Sequence, residues 1–226
     1  MSEKTLHTNK NRMDVKRLCV MAMFCAVAFV LTYIKLPVSF LSLEIKDSAI
    51  VLATLLLGPL AGLPIAVLVP ILEMVSHSTT GMYGMIMNML SSVTFSMVTG
   101  LIYKYKKSFY GAVVGLLSGV CSVTAVMVLA NLVVTPYSMG VSASDVVPMI
   151  PKLLLPFNLI KATLNGAVVL LLYKPLSRIL KGTRLLPPST GTSGTHEQGR
   201  WRSILTTAVA VTLIVLSLCI ILFVLK

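Results

Sequence analysis

Long apolar stretches alternate with short polar segments along most of this chain. Most of these stretches are long enough to cross the hydrocarbon core of a bilayer as a helix. The run 48–57 is short for a span. Within residues 16–182 the pattern predicts six such helices, and a further apolar stretch follows near the C-terminus. The predicted helices cover residues 18–34, 48–57, 60–75, 82–103, 109–134, 153–173 and 204–225.

The segment 35–47 interrupts this pattern because apolar and polar residues alternate in it and both signs of charge occur. It predicts a loop outside the membrane or a short hairpin, with Asp47 as a candidate cap for the next helix. The dipeptide Gly58-Pro59 then follows a short apolar run. A re-entrant element is one interpretation, but the turn signal favours a tight pair of helices. Glu73 is expected at the membrane interface, with a polar role in a ligand cavity as the alternative.

Small residues at intervals of four predict two surfaces for close helix packing. Gly111, Gly115 and Gly119 form a stripe along the fifth helix, where a neighbouring backbone can approach closely. Ala22 and Ala26 form a shallower face on the first helix. The glycine stripe indicates packing within the bundle, whereas the alanine pair leaves room for another helix.

Composition agrees with an all-α integral membrane protein. Hydrophobic residues make up 56% of the chain and charged residues 12%, with a mean hydropathy of +0.92. The net charge of +12 does not indicate nucleic-acid binding, because the basic residues cluster between apolar runs as in cytoplasmic loops. This distribution predicts a cytoplasmic N-terminus. All but five of the 19 Lys and Arg residues then lie inside, the exceptions being Lys35, Lys46, Lys152, Lys161 and Lys226.

Four regions follow from these patterns. Residues 1–15 form a basic cytoplasmic N-terminus, and residues 16–182 form a six-helix membrane domain. Residues 183–201 are rich in Pro, Ser, Thr and Gly and predict a flexible linker. Residues 202–226 then predict an additional, seventh membrane helix.

Polar residues in the sixth helix are the strongest candidates for a ligand site. Asn158, Lys161 and Asn165 are spaced by three and four, so they share one face of a helix. A lysine at the centre of a membrane helix costs about 2.5–3.5 kcal/mol and therefore requires a cavity, a partner or a nearby interface. Snorkelling of Lys161 to water is one interpretation, and a ligand site is the favoured one. Asn131 falls in the same outer half of the membrane, and Asn88 in the fourth helix is either packing glue or a ligand contact.

Several kinds of chemistry have no motif in this sequence. We find no phosphate-binding GxxxxGK[ST] loop, no HExxH and no GxSxG motif, and the three histidines are scattered. The four cysteines occur singly in or beside apolar runs and form no metal-binding pair. The sequence therefore predicts no catalytic residues, no metal site and no cofactor. It indicates a membrane protein that binds a ligand and depends on a partner to do work.

At this point the residues resemble a known family, the substrate-binding S components of energy-coupling factor (ECF) transporters, in particular the riboflavin-binding type. The similarity covers roughly residues 16–182. The motif Pro156-Phe157-Asn158-Leu159-Ile160-Lys161 carries most of the resemblance to the riboflavin type. The remaining matches are Ala22-xxx-Ala26, residues 57–62, Asn88 and residues 131–137.

The resemblance implies a six-helix vitamin-binding subunit of a bacterial cell membrane. Such subunits capture vitamin from outside and associate with a transmembrane T component and two cytoplasmic ATPases. By similarity, Ala22 and Ala26 contact the T component. The matching positions Asn131, Asn158 and Lys161 contact the flavin, with Asn88, Leu41 and Leu43 as further candidates. With a single lysine available, we expect free riboflavin to be bound in preference to its phosphate.

Other functions stay open at this stage. The chain could be an S component for another vitamin or for a flavin analogue, or a non-catalytic membrane scaffold in which Lys161 only snorkels. A small membrane enzyme would require acidic, His or Ser residues clustered at one depth, and the sequence offers none. The family ends after six helices, so the linker and seventh helix are either a regulatory or partner-binding addition or a peripheral anchor.

Overall fold

The computed structural model describes residues 15–39, 41–78 and 80–182, which form a bundle of six long helices with a small hairpin at one end. In chain order the elements are α1 (Val15–Leu31), β1 (Lys35–Val38), β2 (Leu41–Glu44), α2 (Lys46–Leu57), α3 (Pro59–His77), α4 (Gly81–Tyr105), α5 (Phe109–Met139), α6 (Ala143–Val146), a π-helical turn (Ile150–Leu154) and α7 (Leu155–Gly182). The predicted all-α membrane bundle is confirmed. Residues 1–14, the linker 183–201 and the C-terminal helix predicted at 202–226 lie outside the described residues.

Four of the helical segments are long and apolar enough to cross a membrane: Pro59–His77, Gly81–Tyr105, Phe109–Met139 and Ile150–Ile179. The remaining two helices of the bundle are shorter than these four: α1 has 17 residues and α2 has 12. Helix α2 is buried from Lys46 to Leu55 because it packs against α1, α3, α4 and α7. A helix buried on every side needs no polar face, which explains why residues 49–57 are apolar except for Thr54.

The segment after α1 forms a β-hairpin, one of the two structures that the alternating pattern predicted. Strands β1 and β2 pair antiparallel, so that Lys35 lies opposite Glu44 and Val38 opposite Leu41. The turn between them places Ser39 at a positive φ of 57°. The hairpin closes one end of the bundle.

Helices α2 and α3 are a tight pair, as the Gly58-Pro59 signal predicted. Gly58 joins them with a φ of 95°, a conformation that glycine adopts without steric cost. The expectation that Asp47 caps α2 is wrong, because the helix begins one residue earlier and has no side-chain cap. The carboxylate of Asp47 is buried and accepts a hydrogen bond of 2.5 Å from Ser92 Oγ of α4.

Two glycines of the predicted stripe, Gly115 and Gly119, pack directly against α4, whereas Gly111 lies against the backbone of Lys106 after α4. A Cβ placed on Gly115 would lie 2.8 Å from the carbonyl oxygen of Thr99, and one on Gly119 would lie 2.9 Å from a ring carbon of Phe95. These distances are too short for any side chain. The two helices can therefore make this contact only with glycine at these positions.

Two helices run further than their hydropathy indicated. Helix α5 continues through Pro136 to Met139 and ends at Gly140, which has a φ of 66° typical of a helix C-cap. Helix α7 continues to Gly182 in place of the predicted end near residue 173. The polar segment between them contains the short helix α6 and the π-helical turn. Polar residues outside the bilayer can stay helical, so hydropathy underestimates the length of such helices.

Candidate ligand-binding site

A cavity of about 340 Å³, here called the ligand cavity, lies at the hairpin end of the bundle. The hairpin, the start of α4, the end of α5 and the start of α7 surround it. Its walls mix apolar side chains such as Met87, Met127 and Phe157 with carboxamides and hydroxyl groups. An apolar cavity with a few convergent polar groups is the usual form of a site for a small organic ligand.

Five of the six side chains that the sequence identified as ligand contacts line this cavity: Leu41, Asn88, Asn131, Asn158 and Lys161. The sixth, Leu43, is placed elsewhere. It is buried in a separate apolar cluster with Val38 and Leu164, and Phe157 borders both this cluster and the cavity. Residues two apart on a strand are separated by about 7 Å, so Leu41 can reach the cavity while Leu43 does not.

The two cavity asparagines on α5 and α7 bond to their own helices. Asn131 Nδ2 donates to the carbonyl oxygen of Met127 at 2.7 Å, and its Oδ1 accepts from Thr135 Oγ1 at 2.9 Å. Asn158 Nδ2 donates to the carbonyl oxygen of Leu154 at 2.7 Å. A carboxamide offers two donors and an acceptor with two lone pairs. Both side chains therefore keep capacity for a ligand without being left unsatisfied when the cavity is empty.

Lys161 brings a positive charge to the cavity wall. The residue is only 7% exposed, one helical turn from Asn158. Among the described residues its ammonium makes no hydrogen bond and no ion pair within 4 Å, although its charge acts on Glu44. An ammonium that lines a cavity and keeps its donors free can donate to a ligand oxygen.

Behind the cavity lies a buried ionic cluster, defined by Lys35, Glu44, Lys46 and Glu73. Glu73 forms ion pairs with both lysines, while Glu44 lies 2.6 Å from Lys46 Nζ and 3.4 Å from Lys35 Nζ. Glu73 is 3% exposed and lies inside the bundle, while its position at the membrane interface stays a prediction. The cluster joins the hairpin, α2 and α3.

Asn88 connects this ionic cluster to the ligand cavity. Its Nδ2 donates to Glu73 Oε2 at 3.3 Å, and its side chain lines the cavity wall. The cluster thus orients one of the candidate contacts. In the sequence, Glu73 stands alone in an apolar run, and a carboxylate in such a position requires a cationic partner. The sequence did not identify that partner.

The surrounding lysines keep Glu44 of the hairpin ionised. Burial alone raises the pKa of this carboxyl, and the opposing charges of Lys161, Lys46 and Lys35, with the hydrogen bond from Lys46, outweigh it and lower the pKa from 4.5 to about 2. The ionised carboxylate therefore contributes its full stability above pH 4.5 and loses it as the pH falls towards 2. Glu44 is charged at any physiological pH.

Asn165, on the same helical face as Asn158 and Lys161, has a structural contact instead. It is fully buried, and its Oδ1 accepts from the backbone N–H of Ser48 at 2.8 Å. Its Nδ2 donates to the carbonyl oxygen of Glu44 at 2.8 Å. Asn165 thus fixes the end of the hairpin and the first turn of α2 to α7, one turn away from the cavity.

The alanine pair of α1 lies on the outer surface of the bundle. Ala22 and Ala26 are both exposed, whereas Phe24 and Ala28 of the same helix are buried against its neighbours. Two small exposed side chains one turn apart leave a shallow face on which another helix can pack.

The described residues contain no group of three His, Cys, Asp or Glu side chains arranged to hold a metal ion. Cys19, Cys25 and Cys121 are free thiols. The polar side chains that line the ligand cavity carry carboxamides, hydroxyl groups and one ammonium.

Comparison with known proteins gives a consistent result. Residues 16–177 match the family model of the ECF transporter substrate-specific component. The chain is 33% identical over 181 residues to the riboflavin transporter RibU of Staphylococcus aureus (strain TCH60), covering 76% of this chain and 95% of that protein. It is 29% identical over 174 residues to the riboflavin transporter FmnP of Bacillus subtilis (strain 168), covering 71% and 92%.

Among solved structures, one of an S component of a bacterial ECF transporter has a similar fold. The TM-score is 0.66 at 32% sequence identity, and the match covers 75% of this chain and 99% of the other. Nearly the whole length of each relative is therefore accounted for by about three quarters of this chain.

Proposed function

This chain belongs to the family of substrate-specific components of ECF transporters, and from that premise we propose that it binds riboflavin in the ligand cavity for uptake into the cell. The observation that carries the proposal is the convergence of Asn131, Asn158 and Lys161 on one cavity. The names of the two curated relatives support riboflavin as the cargo.

The cavity suits the chemistry of riboflavin. The isoalloxazine ring is flat, with an edge of alternating carbonyl and N–H groups, and the ribityl tail carries hydroxyl groups. Asn131 and Asn158 offer both donors and acceptors to such an edge, while Lys161 donates to a carbonyl or a hydroxyl oxygen. Met87 and Met127 provide polarizable apolar surface for the ring faces. A volume of about 340 Å³ lies within the usual range for small-ligand pockets, roughly 300–1,000 Å³.

Free riboflavin is the preferred ligand in this proposal. Among the described residues Lys161 is the one cationic side chain that lines the cavity. A phosphate monoester carries close to two negative charges at neutral pH and would be desolvated against a single ammonium. Riboflavin phosphate should therefore bind more weakly than riboflavin.

The proposal extends to the assembly. The chain supplies binding without catalysis, and a transmembrane T component with two ATPases supplies the energy. The exposed pair Ala22 and Ala26 is the proposed contact with the T component. The clustering of Lys and Arg between apolar runs supports a cytoplasmic N-terminus, which places the ligand cavity on the outer side of the cell membrane.

The test is the visible absorption spectrum of the protein purified in detergent from riboflavin-replete cells. We expect a yellow preparation with about one flavin per chain, as for a single pocket of this size, and loss of the flavin bands in Asn158→Ala. Adding riboflavin or its phosphate to stripped protein compares the two ligands by fluorescence quenching. A colourless preparation that quenches the fluorescence of neither flavin would refute riboflavin binding. Another vitamin as the ligand, or a scaffold role, would then be the remaining alternatives.

A further inference from the structure

A second cavity, here called the basal cavity, lies at the opposite end of the bundle from the ligand cavity. It has a volume of about 280 Å³ and is formed by the start of α1, the junction of α2 and α3, and the end of α4. The ligand cavity lies at the start of α4, and α4 is 25 residues long. A helix of that length spans roughly 37 Å, so the two cavities are separate sites.

The basal cavity is strongly cationic. Arg17, Lys104 and Lys107 line it, and no carboxylate does so among the described residues. The carboxylates that the structure describes belong to elements at the other end of the bundle: Glu44, Asp47, Glu73 and Asp145. The positive charge of this cavity therefore has no acidic counterpart nearby within the described part of the chain.

Two features at the α2–α3 junction add to this charge. Arg17 Nη2 donates to the carbonyl oxygen of Leu57 at 2.7 Å, which anchors the guanidinium at the end of α2, while its Nε is buried without a hydrogen-bond partner. Helix α3 begins here at Pro59 with no side-chain cap. The uncapped start of a helix carries partial positive charge and favours anions.

We propose that the basal cavity binds the phosphate group of an anionic phospholipid. A guanidinium and two ammonium groups provide charge-assisted donors to the oxygens of a phosphate diester, and the helix dipole adds partial positive charge. Leu60 at the cavity wall is 78% exposed, so apolar surface for an acyl chain adjoins the cationic groups. This combination favours a lipid over a free phosphate ion, and basic pockets between membrane helices are known to hold lipid headgroups. The inference does not depend on which vitamin occupies the ligand cavity.

The experiment measures lipid selectivity of the purified full chain by native mass spectrometry with equimolar phosphatidylglycerol and phosphatidylcholine. We expect preferential phosphatidylglycerol adducts, and a fall in that preference of about fivefold for each lysine removed in Lys104→Gln/Lys107→Gln. The matched control is Lys16→Gln/Lys106→Gln, which removes the same charge from exposed residues that do not line the cavity. Thermal unfolding in detergent reports whether each variant is folded.

Three outcomes would overturn the proposal. The first is a wild-type chain without preference for phosphatidylglycerol, and the second is an equal loss in both double variants, which indicates general surface charge. In a separate arm, inorganic phosphate is added to protein in phosphatidylcholine. Stabilisation by phosphate that depends on Lys104 and Lys107, without selectivity for phosphatidylglycerol, would assign the cavity to a free anion.

Discussion

Lys161 shows how a single charged residue can be kept inside a membrane bundle. The residue is 7% exposed, and its charge interacts with that of Glu44 in the hairpin. Attraction from an ionised carboxylate offsets part of the desolvation cost of the ammonium without occupying its donors in an ion pair. The donors of the ammonium therefore stay available to a ligand.

We expect Lys161→Ala to weaken riboflavin binding by about 10- to 100-fold, the usual value of a hydrogen bond to a charged group. The matched control is Lys152→Ala, an exposed lysine near the start of α7 that borders a different, small pocket. Fluorescence titration of the stripped proteins measures both. Equal affinities for the two variants would remove Lys161 from the site.

Glu73 is the centre of the buried ionic cluster. It balances Lys35 and Lys46 and also orients Asn88. Removing one partner of a buried ion pair leaves an uncompensated charge in a medium of low dielectric constant. The cluster is consequently more sensitive to substitution than any exposed charge.

Glu73→Gln should lower the free energy of unfolding by about 3–5 kcal/mol, because the amide cannot balance two ammonium groups. The control Asp145→Asn alters an exposed carboxylate whose described contact is a capping box, and should cost about 1 kcal/mol or less. Thermal unfolding in detergent compares the two. A similar small shift in both variants would mean that the ionic cluster contributes little.

At the scale of elements, the contact between α4 and α5 depends on glycines, which have no side chain to hold the helices apart. Gly115 and Gly119 allow the α5 backbone to approach Thr99 and Phe95 of α4. Lipid gives no hydrophobic drive for helices to associate, so close packing has to supply the attraction. The glycine stripe is accordingly a structural signal, and the sequence alone was sufficient to identify it.

Gly115→Ala should destabilise the bundle by about 1–3 kcal/mol because its Cβ would collide with backbone. Gly166→Ala in α7 is the matched control, since its Cβ would meet the nearest atom at 3.8 Å. There the added helix propensity of alanine, about 1 kcal/mol, should leave the unfolding temperature unchanged or raise it. Equal destabilisation by both substitutions would refute the packing argument.

The hairpin illustrates what the pattern of residues could predict about an element. Alternation over residues 35–47 allowed either a loop or a hairpin, and hydrogen bonds between β1 and β2 select the hairpin. The partners that hold it in place, Asn165 and Glu73, are 121 and 38 residues distant from their contacts Glu44 and Lys35. No local pattern contains that information.

At the scale of the whole molecule, the proposed partner contact on α1 is separate from the ligand cavity. Ala22 and Ala26 lie on the exposed side of the first helix and do not line the ligand cavity. Substitutions there should therefore affect association without altering ligand contacts.

We expect Ala22→Leu/Ala26→Leu to bind riboflavin within about twofold of the wild-type affinity, because no cavity contact changes. In cells with the partner subunits the double variant should lose most vitamin uptake, because the larger side chains prevent close approach of another helix. Ala125→Leu makes the same change on the exposed face of α5 and should support normal uptake. Uptake by the double variant at the wild-type level would argue against this interface.

By itself, the sequence determined the membrane class, the six helices, the glycine packing stripe and the shared helical face of Asn158 and Lys161. Hydropathy and helical spacing are local properties, and they are sufficient for these features. Tertiary structure decided the burial of Glu73, the shared contacts of Glu44, Lys46 and Lys35, and the separation of Leu43 from the cavity. Buried charges obtain partners from distant segments, so only the folded bundle determines which charges meet.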